Sequence, residues 1–144
     1  AVLAHGYVRA TVDVDLVLDF EEANLRRAMA CLERLGFRPR APVSLAQFAD
    51  ASIRQHWIDT KDMLVFTVVR SEADSPLEVD LFVTEPFPFA DAYRDAVWQQ
   101  HPTGVRFPFV DLARLLAMKR SAGRAKDLLD LAELRRIHPH AFDS

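Results

Sequence analysis

Residues 11–20 read TVDVDLVLDF, and strict alternation of polar and apolar residues through Leu16 limits what this segment can become. A period of two belongs to a strand with one face toward a core and the other toward water. The enrichment in β-branched residues suits the same pleated surface. The pattern predicts a strand over 11–20, with Val12, Val14 and Leu16 toward the core. Asp13 and Asp15 then share the opposite face, about 7 Å apart. Arg9 and Thr11 continue that face toward the N-terminus if the strand begins early. Two acids on the wet side of a half-buried strand are common, so the pair alone names no chemistry.

A second strand is predicted over 77–83, LEVDLFV. Leu77, Val79, Leu81 and Val83 fall on one face, and Glu78, Asp80 and Phe82 on the other. A carboxylate amid such residues is costly to bury unless it is paired, hydrogen-bonded or bound to a metal. If this strand lies beside the first, Asp80 joins Asp13 and Asp15 on one surface. Three convergent carboxylates repel one another without a divalent cation, and oxygen-only ligands suit Mg²⁺ or Mn²⁺. The competing reading is a single exposed acid on an edge strand.

The remaining segments supply the frame. Residues 1–7 end a short helix at Gly6. A helix over 21–35 carries Leu25, Ala28, Met29, Leu32 and Leu35 on one stripe, with Gly36 as its stop and Cys31 placed in the core. Residues 37–43, with two prolines, read as a short edge strand or a loop. Residues 53–59 and 62–70 read as two strands joined at Thr60-Lys61, and 71–76 as a turn. The EPFPF segment that follows the 77–83 strand reads as an ordered loop. Helices are predicted over 90–100, 112–122 and 125–137, with a short extended piece at 105–109 and an interruption at Gly123. This order predicts an α/β (α+β) fold, one domain over 1–144 with a mixed twisted sheet flanked by helices.

Composition narrows the classes. A chain of 144 residues fits one domain of ordinary size. With 50% hydrophobic residues it has the material for a core, yet no apolar run reaches the length of a membrane span. The lone Cys31 rules out an intrachain disulfide and a thiolate-rich metal site. Eighteen basic against 21 acidic residues argue against a general nucleic-acid coat. The expected compartment is the cytoplasm. No histidine pair has zinc-helix spacing, and there is no phosphate-binding Walker loop or dinucleotide fingerprint.

Of the three lysines, two lie in the segment LLAMKRSAGRAKDLLDL. Lys119 shares a helical stripe with Leu112, Leu115 and Leu116, so it either snorkels to water or reaches a buried anion. Arg120, Gly123, Arg124 and Lys126 follow. Asp127 and Asp130 then occupy the first turns of the next helix, where the dipole favours carboxylates and where Arg124 or Lys119 are ready partners.

Together, HGYVRATVDVDLVLD, LEVDLF and LLAMKRSAGRAKDLLDL resemble the AbiEii-like nucleotidyltransferases, the abortive-infection and type IV toxin group of the DNA polymerase β-like superfamily. Gly6, Arg9, Thr11, Asp13 and Asp15 match the first motif, and Asp80 fits the third carboxylate. Lys119, Gly123, Arg124, Lys126, Asp127 and Asp130 match the last. The resemblance implies a nucleotidyltransferase fold that moves a nucleoside monophosphate from an NTP to an acceptor. It implies Mg²⁺ or Mn²⁺ on Asp13, Asp15 and Asp80, with Asp80 nearer the acceptor, and Lys119 neutralising phosphate charge. Arg9, Thr11 and Arg124 are implied phosphate or support residues, with Asp127 orienting Lys119. The implied partners are the NTP, an acceptor such as a tRNA end, a protein hydroxyl or a small molecule, and an antitoxin, with no membrane. The family's glycine pair is expected upstream of Ala1, so the chain is expected to lack its first strand and phosphate loop. The alternative is a non-catalytic nucleotide-binding or protein-interaction module with the same fold.

Overall fold

A computed structural model describes residues 1–10, 13–71 and 76–142. The chain packs as two compact units, Thr11–Phe89 and Ala1–Ala10 with Ala90–Ser144.

The first unit is built on a four-stranded mixed sheet. Strand β1 (Asp13–Leu16) leads to helix α1 (Glu22–Arg34), and β2 (Arg38–Pro39), α2 (Ala51–Lys61), β3 (Val65–Arg70) and β4 (Leu77–Phe82) follow. The spatial order is β1-β4-β3-β2. β1 runs parallel to β4, while β4–β3 and β3–β2 are antiparallel. Two short segments thus reach neighbouring positions only because α1, β2, α2 and β3 are threaded between them.

Helix α1 starts where the side chain of Glu21 accepts the backbone N–H groups of Ala23 and Asn24. It ends at Gly36, whose φ of 85° is a conformation open to glycine. Its stripe buries Leu25 and Met29 completely, while Leu35 and Cys31 are exposed. Cys31 therefore corrects the sequence reading: it lies off the stripe, on the wet side. Leu25, Met29, Phe48, Trp57, Phe66, Val68, Val79 and Leu81 form one core under β3 and β4. Trp57 stacks on Phe66 with ring centroids 5.4 Å apart.

Residues 53–59, expected as a strand, are the middle of α2. Asp50 caps the helix by accepting the N–H groups of Ser52 and Ile53, and Thr60-Lys61 form its last turn rather than a hairpin. Asp62, with φ 48°, stops it. What decides the outcome is burial of Trp57 and Arg54 on one helical face, which overrides the β-branched Ile53 and Ile58. The Arg54 guanidinium donates to the Phe48 carbonyl at 2.5 Å and lies over the Phe20 ring. Burial pushes its pKa down from the ordinary value.

β1 is shorter than expected, with 17–20 outside it, and Val14 and Leu16 are 45% and 37% exposed rather than core. The core lies under the inner strands, and an edge strand of four residues reaches past it. Val12, Thr11 and most of the predicted 71–76 turn lie outside the described residues.

The second unit opens with a 3₁₀ turn (Val2–His5) closed by Gly6 at φ 88°. α3 (Phe89–Arg94) is followed by β5 (Val97–Gln100) and β6 (Arg106–Phe109), then α4 (Leu112–Ala122) and α5 (Ala125–Ile137). The predicted helix over 90–100 thus stops at Arg94, and Val97–Gln100 pair antiparallel with β6. A two-stranded ribbon satisfies the backbone of β6 as well, which one continuous helix would leave unpaired. Val2, Leu115, Leu116 and Leu134 form this unit's core. The His5 ring donates to the Val110 carbonyl at 2.8 Å, and the His138 ring donates to the His5 carbonyl at 2.8 Å. Both histidines link segments of this unit through backbone carbonyls.

Candidate functional site

The parallel register between β1 and β4 sets Asp13 opposite Glu78 and Asp15 opposite Asp80. Neighbouring strands lie about 4.8 Å apart, and residues in register point to the same side. One sheet face therefore carries four carboxylates in two adjacent pairs, while Val79 and Leu81 turn the other face into the core. The sequence placed Glu78 on the face of Asp80. What it did not supply is the register, which makes Glu78 the direct neighbour of Asp13.

Two groups hold this face, one on β3 and one just beyond β2. Thr67 on β3 lies directly opposite Asp80, and its hydroxyl donates to Asp80 Oδ1 at 2.6 Å. The Arg40 guanidinium pairs with Glu78, and the Arg40 backbone N–H donates to the Thr67 carbonyl at 3.0 Å. Arg40, Met63, Val65 and Thr67 also line a shallow recess beside the acids. Neither Thr67 nor Arg40 carries a motif, and only the strand pairing makes them visible.

The donors on this face are all carboxylate oxygens, the type that hard divalent cations take. Among the described residues, no three His, Cys, Asp or Glu side chains are gathered closely enough to form a metal cage. The acids instead sit in register along the strands.

The other predicted residues form a cluster of their own in the second unit. Lys119, on α4, extends its Nζ to Asp127 Oδ1 at 3.0 Å and to Asp130 Oδ2 at 2.5 Å. Arg9 grips Asp130 with two bonds of 2.9 and 3.0 Å, and Arg124 reaches Asp127 at 2.6 Å. The result is an alternating chain: Arg9, Asp130, Lys119, Asp127, Arg124. Asp127 and Asp130 are 1% and 2% exposed. Lys119 thus takes the second course open to a lysine on an apolar stripe, toward a buried anion.

Helical geometry explains the convergence. Asp127 and Asp130 are three apart on α5 and therefore neighbours on one face. Gly123, at φ 60°, ends α4 and lets the chain turn into α5. Burial by itself would raise the pKa of Asp127, but hydrogen bonds from Arg124 and Lys119 outweigh it and hold the carboxyl below its usual range. For Asp130, burial is likewise outweighed by Lys119 and Arg9. Both are therefore ionised and paired, the condition under which a buried carboxylate is tolerated. Sequence spacing offered these two acids Arg124 or Lys119: Asp127 takes both, and Asp130 takes Lys119 together with Arg9.

The predicted residues thus fall into two groups, Asp13, Asp15 and Asp80 in one unit and Arg9, Lys119, Arg124 and Asp127 in the other. Among the described residues, no helix is long and apolar enough to cross a membrane.

A family model described as nucleotidyl transferase AbiEii toxin, type IV TA system, matches residues 2–144. No curated protein and no solved structure matches the chain.

Proposed function

The chain belongs to the AbiEii family of nucleotidyltransferase toxins from type IV toxin–antitoxin systems, and from that premise we propose that the carboxylate face of β1 and β4 is its catalytic surface. The observation that carries this reading is the register that sets Asp15 beside Asp80. The mixed sheet is consistent with a nucleotidyltransferase-like fold.

The proposed reaction is attack by an acceptor hydroxyl on the α-phosphorus of an NTP. The new P–O bond forms as the bond to the β-phosphate breaks, and pyrophosphate departs. Asp13, Asp15 and Asp80 would hold Mg²⁺ or Mn²⁺, which when bound supplies charge stabilisation to the attacking and leaving oxygens. Asp80 is the proposed base that takes the hydroxyl proton. Its Oδ1 already accepts from Thr67, so Oδ2 is the oxygen for that task.

Lys119 is the proposed cation that neutralises phosphate charge, since electrostatic stabilisation dominates phosphoryl transfer. Asp127 and Asp130 fix its ammonium. Arg9 and Arg124, whose side chains are 32% and 63% exposed, are the proposed outer phosphate contacts, together with Thr11. The acceptor is proposed to be a tRNA end, a protein hydroxyl or a small molecule, and the antitoxin is the proposed protein partner.

One observation favours a second reading, a nucleotide-binding or interaction module without turnover. Lys119 is bonded to two buried carboxylates, as a purely structural lysine would be. One experiment separates the two readings: incubation with each α-³²P NTP, Mg²⁺ and cellular RNA or protein. Label transfer that disappears in Asp13→Ala/Asp15→Ala, with the circular dichroism unchanged, is expected. No transfer by the native chain, or equal transfer by the variant, overturns the catalytic reading.

A further inference from the structure

Helix α5 is turned inside out relative to an ordinary surface helix. The row it presents to its own unit is Asp127, Asp130 and Leu134, all buried. Leu128 and Leu129 stand 57% and 67% exposed on the opposite side. Ala125 and Ala132, both exposed, fall between the two leucines around the helix and complete a stripe about 10 Å long. Rotating the helix to hide the leucines is not open to it. Turning the acids outward would leave Lys119, whose side chain is 12% exposed, without its anions. The unit's own charges thus hold an apolar ridge toward the outside.

The surround of the ridge selects its occupant. Arg124 and Arg135 flank it on one side, Lys126 flanks it on the other, and Arg136 stands on it one turn beyond Ala132. All four are exposed. Glu133, the one acid among these flanks, is paired with Arg136. Both ends of the ridge are therefore basic, and self-association in either direction would set these cations against their own copies. Anionic lipid matches the charge, but membrane binding scales with buried apolar area, and the stripe has two large side chains and no aromatic one. A ridge on one helix fits the groove of another, and its cations call for acids beside that groove.

We propose that the outer face of α5 docks an amphipathic helix of a protein partner, one whose apolar stripe is flanked by Asp and Glu. This stands apart from the carboxylate face, since neither leucine has a role in the proposed chemistry. Leu128 and Leu129 supply the contact that excludes water, while Lys126 and Arg136 select the partner's charge. A contact this narrow suits a transient complex.

The test uses a synthetic helix of about 18 residues, long enough to fold, with a leucine stripe flanked by glutamates. It is labelled with fluorescein and followed by anisotropy, beside a twin flanked by lysines. The glutamate probe is expected to bind at least about 10-fold more tightly than its twin. Leu128→Gln/Leu129→Gln is expected to weaken that binding about 10-fold. Its melting temperature should hold, because glutamine suits an exposed helix position as well as leucine does. Lys126→Glu/Arg136→Glu keeps the ridge and is expected to reverse the preference between the probes. Equal binding of both probes, equal binding by the glutamine variant, or no binding of the glutamate probe up to about 100 μM overturns the proposal. A fall in the melting temperature of the glutamine variant does so too, by showing the leucines to be packed within the fold. Sedimentation of the native chain and flotation with phosphatidylglycerol vesicles test the other occupants. Dimerisation or vesicle binding that the glutamine variant loses, without probe binding, assigns the ridge to a second copy or to lipid and overturns the partner helix.

Discussion

Lys119 and Asp130 meet at 2.5 Å between Nζ and Oδ2, and Asp130 is in turn held by both nitrogens of an Arg9 fork. The carboxylate is 2% exposed, so it stands or falls with its cations. Removing one partner of a buried pair is costly because the orphaned charge stays behind.

Lys119→Met keeps the length of the side chain and deletes the ammonium. Arg9 and Arg124 remain on the two acids, so the expected loss is at the lower end for a broken buried pair, about 3 kcal/mol. Urea unfolding followed by circular dichroism measures it. A loss under about 0.5 kcal/mol would mean that the lysine is effectively solvated.

The same cluster sets an acid limb. Asp127 and Asp130 have folded pKa values below the ordinary 3.8, so the unfolded chain binds protons first as pH falls. Their stabilisation is complete above the ordinary value and is lost as pH drops through the lowered folded values. Stability is therefore expected to fall with acid below about pH 4, and Asp130→Asn to flatten that slope. An equally steep slope in the variant would remove Asp130 from the cause.

Asp15 and Asp80 face opposite requirements for stability and for the proposed chemistry. Like charges in register repel, so Asp15→Asn is expected to stabilise the metal-free protein by about 0.5 kcal/mol at low salt, with the gain fading as salt screens the pair. The same variant is expected to lose nucleotidyl transfer. Thermal unfolding in chelator at two salt concentrations, beside the labelled-NTP assay, checks both halves.

Trp57 tests the placement of α2. Its ring is 3% exposed and stacked on Phe66, so Trp57→Ala is expected to cost about 3–5 kcal/mol. Chemical denaturation followed by circular dichroism reads it. A cost under about 1 kcal/mol would place Trp57 outside the core.

What the sequence conveyed and what it withheld divide along physical lines. α4 is where its apolar spacing put it, and β4 shows the alternation read from LEVDLFV, because those patterns report burial directly; α5 spans the predicted 125–137, yet it buries Asp127 and Asp130 and exposes Leu128 and Leu129. Residues 53–59 misled because Ile53 and Ile58 favour strands in isolation, and the packing of Trp57 and Arg54 that settles the question is tertiary. Val14 and Leu16 alternate as core residues do, yet a short strand at the sheet margin leaves them wet. The acids and the lysine motif were readable as residues. Their partners Thr67, Arg40 and Arg9 depend on strand register and helix docking, which no local pattern encodes.

The strand order has a mechanical consequence. β4 is bonded along both margins, to β1 and to β3, whereas among the described strands β1 is bonded to β4 alone. Asp80 therefore rides on a strand anchored along both of its margins, and Asp13 and Asp15 on a strand anchored along one.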